Sequence, residues 1–105
     1  IMALFIEDCH FIGQIPPEIG NFTNMRWLYL SLLSKLEGEM PPTVTKLTEL
    51  RGLILRNLRI RWRLPDDFGT RLPELRSLEA FQCPNLEGGL PESIGLLSKL
   101  NLLVL

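Results

Sequence analysis

One block recurs along the chain: GQIPPEIG from Gly13, GEMPPTVT from Gly38, WRLPDDFG from Trp62 and GGLPESIG from Gly88. It marks units of 24 or 25 residues, a length in the range of repeats that stack side by side. A unit this short cannot enclose a core, so its apolar side is buried only against neighbouring units. The register divides the chain into units 1–24, 25–49, 50–74 and 75–99, with 100–105 opening a fifth.

Each unit begins with apolar residues at its first, fourth and sixth positions. These are Ile1, Leu4 and Ile6; Met25, Leu28 and Leu30; Leu50, Leu53 and Leu55; Leu75, Leu78 and Ala80; and Leu100, Leu103 and Leu105. Alternation at the fourth and sixth positions predicts a short strand with one buried face. The Pro block then predicts a short helix or 3₁₀ turn. Pro16, Pro41, Pro65 and Pro91 suit a first turn because the ring fixes φ and the missing N–H is not needed there. Glu18, Asp66, Asp67 and Glu92 follow, where a helix N-terminus favours negative charge. Ile19, Val44, Phe68 and Ile94, with Phe22, Leu47, Leu72 and Leu97, are predicted to point inward. Gly20, Gly69 and Gly95 are expected to end the turn in a left-handed conformation.

The register L-x-x-L-x-L-x-x-(N/C)-x-L-x-G-x-I-P-x-x-I-G-x-L-x-x resembles the plant-type leucine-rich repeat over the whole chain. Unit 1–24, IMALFIEDCHFIGQIPPEIGNFTN, follows it position by position, with Cys9 in the slot usually given to Asn. The second and fourth units carry one extra residue before the Gly, as in cysteine-type variants of the family. The third has Trp62 in the Gly slot and one residue inserted near Leu72. LPESIGLLSKLNLLVL also resembles the repeats of intracellular plant immune receptors.

The resemblance implies an α/β repeat fold: a curved leucine-rich-repeat solenoid with a parallel β-sheet on its concave face and short 3₁₀ or loop segments on its convex face. It also implies that ligands dock on the concave sheet. The third, fifth and seventh positions would face that side: Ala3, Phe5, Glu7; Trp27, Tyr29, Ser31; Gly52, Ile54, Arg56; Ser77, Glu79, Phe81; Leu102, Val104. Phe5, Trp27, Tyr29 and Ile54 would form an aromatic and apolar patch not needed by the core, and such patches mark interaction sites. Trp, Tyr and Arg are the types enriched among binding hot spots, which puts Trp27, Tyr29 and Arg56 foremost. Glu7, Glu79 and Phe81 complete the candidate partner-binding set.

Other motifs point away from chemistry. Cys9 and Cys83 sit three units apart at equivalent positions, which places their Cα atoms on the order of 14 Å apart, beyond the ~7 Å reach of a disulfide. Both are expected to be free thiols. His10 has no spaced partner for a metal. Asp67-Phe68-Gly69 spells a kinase motif, but Phe68 falls in a core position and none of the accompanying kinase motifs is present. No nucleophile elbow, phosphate loop or acid–base pair occurs, so the chain reads as a non-enzyme without cofactor or metal. With 11 Lys plus Arg against 12 Asp plus Glu, no broad field attracts nucleic acid, and no apolar run approaches the ~20 residues of a membrane span. The one local excess of charge is Arg51, Arg56, Arg59, Arg61 and Arg63. The arginines of RNLRIRWRL could bind an acidic partner or a nucleic-acid backbone, but a single run without matching bases in neighbouring units reads as a solvated loop. Peptide-binding members of the family use an Arg-x-Arg pair on the sheet, whereas Arg59 and Arg61 fall in the loop after it.

Asn21-Phe22-Thr23 is an N-glycosylation sequon and tilts the reading toward an extracellular or cell-surface location, with the cytoplasm as the alternative. The expectation is an internal piece of a longer solenoid that recognises a protein or peptide, with a co-receptor among the candidates, as part of a receptor or receptor-like-kinase ectodomain. The alternatives are a sensor domain of an intracellular plant immune receptor and a scaffold subunit of a larger assembly.

Overall fold

The computed structural model describes residues 2–8, 12–33 and 35–105. Five short strands form one parallel sheet: β1 (Ala3–Glu7), β2 (Trp27–Ser31), β3 (Gly52–Arg56), β5 (Ser77–Phe81) and β7 (Leu102–Val104), in the order β1-β2-β3-β5-β7. Ala3, Trp27, Gly52, Ser77 and Leu102 stand side by side, each one repeat along from the last. Two backbone N–H groups from each new strand converge on a single carbonyl of the previous one. Arg51 N and Gly52 N both donate to Arg26 O, at 2.7 and 3.0 Å, and Arg76 N and Ser77 N repeat the pattern on Arg51 O. After the main strands, β4 (Trp62–Arg63) pairs in parallel with β6 (Leu86–Glu87), and isolated bridges join Gly13 to Leu36 and Glu39 to Arg61.

The Pro blocks make the opposite layer. Three are 3₁₀ turns, Pro17–Asn21, Pro42–Lys46 and Glu92–Leu96, and the third unit instead makes a short α-helix, α1 (Phe68–Arg71). Pro16, Pro41 and Pro91 stand one residue outside their turns in extended backbone, and their carbonyls receive the N–H of Ile19, Val44 and Ile94 at 3.1 Å. The inserted residue of the third unit has a simple geometric effect. In the other three units the turn closes from residue i+3, as Phe22 N to Ile19 O, whereas here Leu72 N reaches Phe68 O, one residue further. One extra residue is what an α turn needs beyond a 3₁₀ turn.

The core lies between the two layers. Met25, Leu50 and Leu75 from the first column, Leu28, Leu53 and Leu78 from the second, and Val44, Leu47, Phe68 and Leu72 from the turns are all buried. Trp62 takes the Gly slot without adopting positive φ. It lies in β4 and is buried with its ring edge-on to Phe68 at 6.1 Å. Phe68 is therefore a core residue, as its repeat position predicts.

Several expectations are corrected. Gly20, Gly69 and Gly95 are not left-handed; positive φ belongs to Gly13, Gly38 and Gly88, before the Pro. Gly20 and Gly69 serve close packing between repeats instead, whereas a Cβ on Gly95 would meet nothing within 4 Å. A Cβ on Gly20 would lie 2.6 Å from the carbonyl oxygen of Thr43, and one on Gly69 would lie 1.7 Å from that of Ser93, each in the next unit. Phe22, predicted to point inward, is 42% exposed, and Leu103 and Leu105 are also exposed. All three lie in outermost units, which have a neighbouring repeat on one side only among the described residues. Cys83 is a free thiol, half-buried, with Sγ 3.5 Å from Leu55 O. Cys9 and His10 lie outside the described residues.

Candidate functional site

Residues at the third, fifth and seventh positions point away from the core, because successive side chains on a strand alternate between faces. Three rows therefore cross the sheet. Phe5, Tyr29, Ile54, Glu79 and Val104 are in register; Glu7, Ser31, Arg56 and Phe81 form the row beside them; Ala3, Trp27, Gly52, Ser77 and Leu102 form the third.

Four of the predicted residues join into one connected network. The Phe5 and Tyr29 rings lie 5.7 Å apart at a tilt of 37°. The Arg56 guanidinium carbon sits 5.4 Å from the centre of the Tyr29 ring, while Nη1 donates to the Tyr29 hydroxyl at 3.3 Å. Arg56 also grips Glu79 Oε2 from Nε at 3.2 Å and from Nη2 at 2.9 Å. The hydrogen bond to Glu79 pushes the already high pKa of Arg56 further up. Glu79 is well covered, its side chain only 12% exposed, so the ion pair is partly shielded from water. Because the Tyr29 oxygen accepts from Arg56, its own O–H is left to donate outward.

Trp27 is held differently. A Cβ on Gly52 would fall 2.1 Å from Trp27 Cε3, so the indole lies directly over the bare α-carbon of the next strand. Gly52 is thereby buried, although its row predicts exposure, while Trp27 keeps 37% of its surface open. Ser31 is buried too, the shortest side chain in a row that also holds Glu7 and Arg56. Phe5 and Phe81 are exposed, at 66% and 47%, and Ile54 is half-buried between the Tyr29 and Glu79 strands. Glu7 is exposed as the last residue of β1 before the loop. The residue missed from sequence is Gly52. Its signal was a Trp and a Gly at the same repeat position of adjacent units.

The resulting face is an aromatic and apolar surface with an internally neutralised charge pair at its centre. Among the described residues no group of three His, Cys, Asp or Glu converges as metal ligands, and no helix is long and apolar enough to cross a membrane. Asn21 ends the first 3₁₀ turn, exposed, with Thr23 exposed two residues on.

Stacked strand-and-turn units in this register are similar to plant-type leucine-rich repeats, and the relatives of the chain are plant leucine-rich-repeat proteins. It is 38% identical over 55 residues to polygalacturonase inhibitor 2 of Arabidopsis thaliana, covering 52% of this chain and 17% of that protein. It is 30% identical over 102 residues to TMV resistance protein N of Nicotiana glutinosa, covering 95% of this chain and 9% of that one. Leucine-rich repeat protein FLOR 1 of Arabidopsis thaliana is 35% identical over 57 residues, 54% of this chain and 18% of that protein. The chain thus spans less than a fifth of the length of these curated relatives. No family model matches it.

Proposed function

We propose that this segment recognises a protein or peptide on the open face of its sheet, the concave face of a curved solenoid, within a cell-surface receptor ectodomain. The observation that carries the reading is the Phe5–Tyr29–Arg56–Glu79 network beside the seated Trp27, on a face that the core does not use. Aromatic residues and Arg supply most hot spots in protein interfaces, and a held side chain loses little entropy on binding. The printed names of the relatives agree with recognition rather than catalysis, since they are inhibitors and a resistance protein.

Trp27→Ala and Tyr29→Ala test this. The expected outcome is loss of the partner with the fold retained by circular dichroism; unaltered binding in both variants would sink the open-face site. A co-receptor is one candidate partner, to be sought by the same variants. Location rests on Asn21. Its exposure at the end of a turn leaves room for a glycan, and mass spectrometry of the Asn21 peptide from the native source, before and after a glycosidase, reads it out.

A second reading, the sensor domain of an intracellular immune receptor, is supported by similarity to TMV resistance protein N along 95% of the chain. A fully unmodified Asn21 peptide would favour it.

A further inference from the structure

The arginines of the third-unit loop, solitary in sequence, acquire a companion in the fold. A groove of about 530 Å³ runs beside the loops that follow the strands. Lys35 from the second unit and Arg59 and Arg61 from the third line it, with Ile12 and Leu36 as apolar wall and Glu37 as its acidic member. The loop is fixed from both sides. Arg61 N donates to Gly38 O at 2.9 Å, and the Asn85 side-chain amide donates to Arg59 O at 2.6 Å. These bonds hold the backbone of Arg59 and Arg61 in place, and the stacking of the units brings Lys35 to the same groove. Arg61 alone has an ion pair, an exposed one with Glu39 at 3.5 Å; Lys35 and Arg59 have none among the described residues.

We infer that this groove binds an acidic, partly apolar segment of a protein partner. An acidic side chain seated in the groove is attracted by the three cations that line it, and a site at the surface makes that attraction fall with added salt. Guanidinium groups pair with carboxylates in a planar, two-point geometry that lysine lacks, and Arg59 offers an uncommitted one. Ile12, 78% exposed at the same groove, gives apolar side chains of the partner a place to pack. A nucleic acid fits less well, because Glu37 and Glu39 stand among only three bases and the chain as a whole carries a net charge of −1. This surface is separate from the aromatic face of the sheet and does not depend on it.

The test uses the full-length protein carrying these repeats and a fluorescein-labelled peptide of Glu-Glu-Leu repeats, with its Gln-Gln-Leu counterpart as control. The expected result is binding of the glutamate peptide alone, weakened by added salt and about tenfold by Lys35→Gln with Arg59→Gln. Trp27→Ala should leave it unchanged, which separates this groove from the open-face site. Both substituted side chains are exposed, so thermal unfolding should be unaltered. A glutamate peptide that fails to bind, or that binds the double variant as tightly, would overturn the proposal. Preferential binding of polygalacturonate or single-stranded DNA through Lys35 and Arg59 would equally overturn its assignment to a protein segment.

Discussion

At the scale of single residues, small side chains matter where repeats touch. Gly69→Ala would force a methyl group into the Ser93 carbonyl, and separating the two turns should cost about 1–3 kcal/mol in chemical denaturation. Gly89→Ala meets nothing within 4 Å and has no positive φ, so its stability should stay within about 0.5 kcal/mol of the parent. Glu74 accepts a 2.6 Å bond from Lys99 Nζ, and that bond, with the attraction of Lys99, holds its pKa below the ordinary carboxylate value. A lowered folded-state pKa means a contribution present at neutral pH and lost as the pH falls through that value. Glu74→Gln should therefore slightly lower stability at neutral pH and flatten the acid limb of the profile, read by urea unfolding across the pH range. Burial pushes the Cys83 thiol the other way, so it should react with iodoacetamide at pH 8 more slowly in the folded protein than after unfolding.

The element that most determines stability is the central strand. Leu53 in β3 is fully buried with strands on both sides, so Leu53→Ala should cost about 2–5 kcal/mol, whereas Leu103→Ala in the outermost strand, already 39% exposed, should cost far less. Urea unfolding of the two variants makes the comparison. These columns were legible in the sequence because a strand buries alternate residues whatever its partner, and the period alone aligned Leu28, Leu53 and Leu78. The α-turn of the third unit was legible only as an inserted residue; its cause, one more residue between Phe68 and Leu72, shows in the backbone bonds. The glycines were misread for a related reason. Within one unit, Gly20 and Gly69 look like turn endings, but what selects them is a carbonyl one repeat away. The open face was legible as a set of positions, and the Arg56 links to Tyr29 and Glu79 were not, since side-chain reach across strands is not a property of spacing.

Across the whole molecule, each repeat contacts its sequence neighbours, so stability is a chain of nearest-neighbour interfaces. In the 105-residue segment on its own, amide exchange should accordingly be slower in β3, which has strands on both sides, than in β1 and β7. The adjacency of Lys35 to Arg59 and Arg61 belongs to this scale too: it is created by stacking one unit on the next, and no window along the sequence contains it. The same stacking places the bare backbone of Gly52 beneath the Trp27 indole. A ring parked in advance has already given up its rotational freedom, so an incoming partner meets a finished surface, and the advantage falls on how long the pair stays together. Gly52→Ala, which evicts the ring without removing it, should shorten the lifetime of a complex on this face more than it slows its formation.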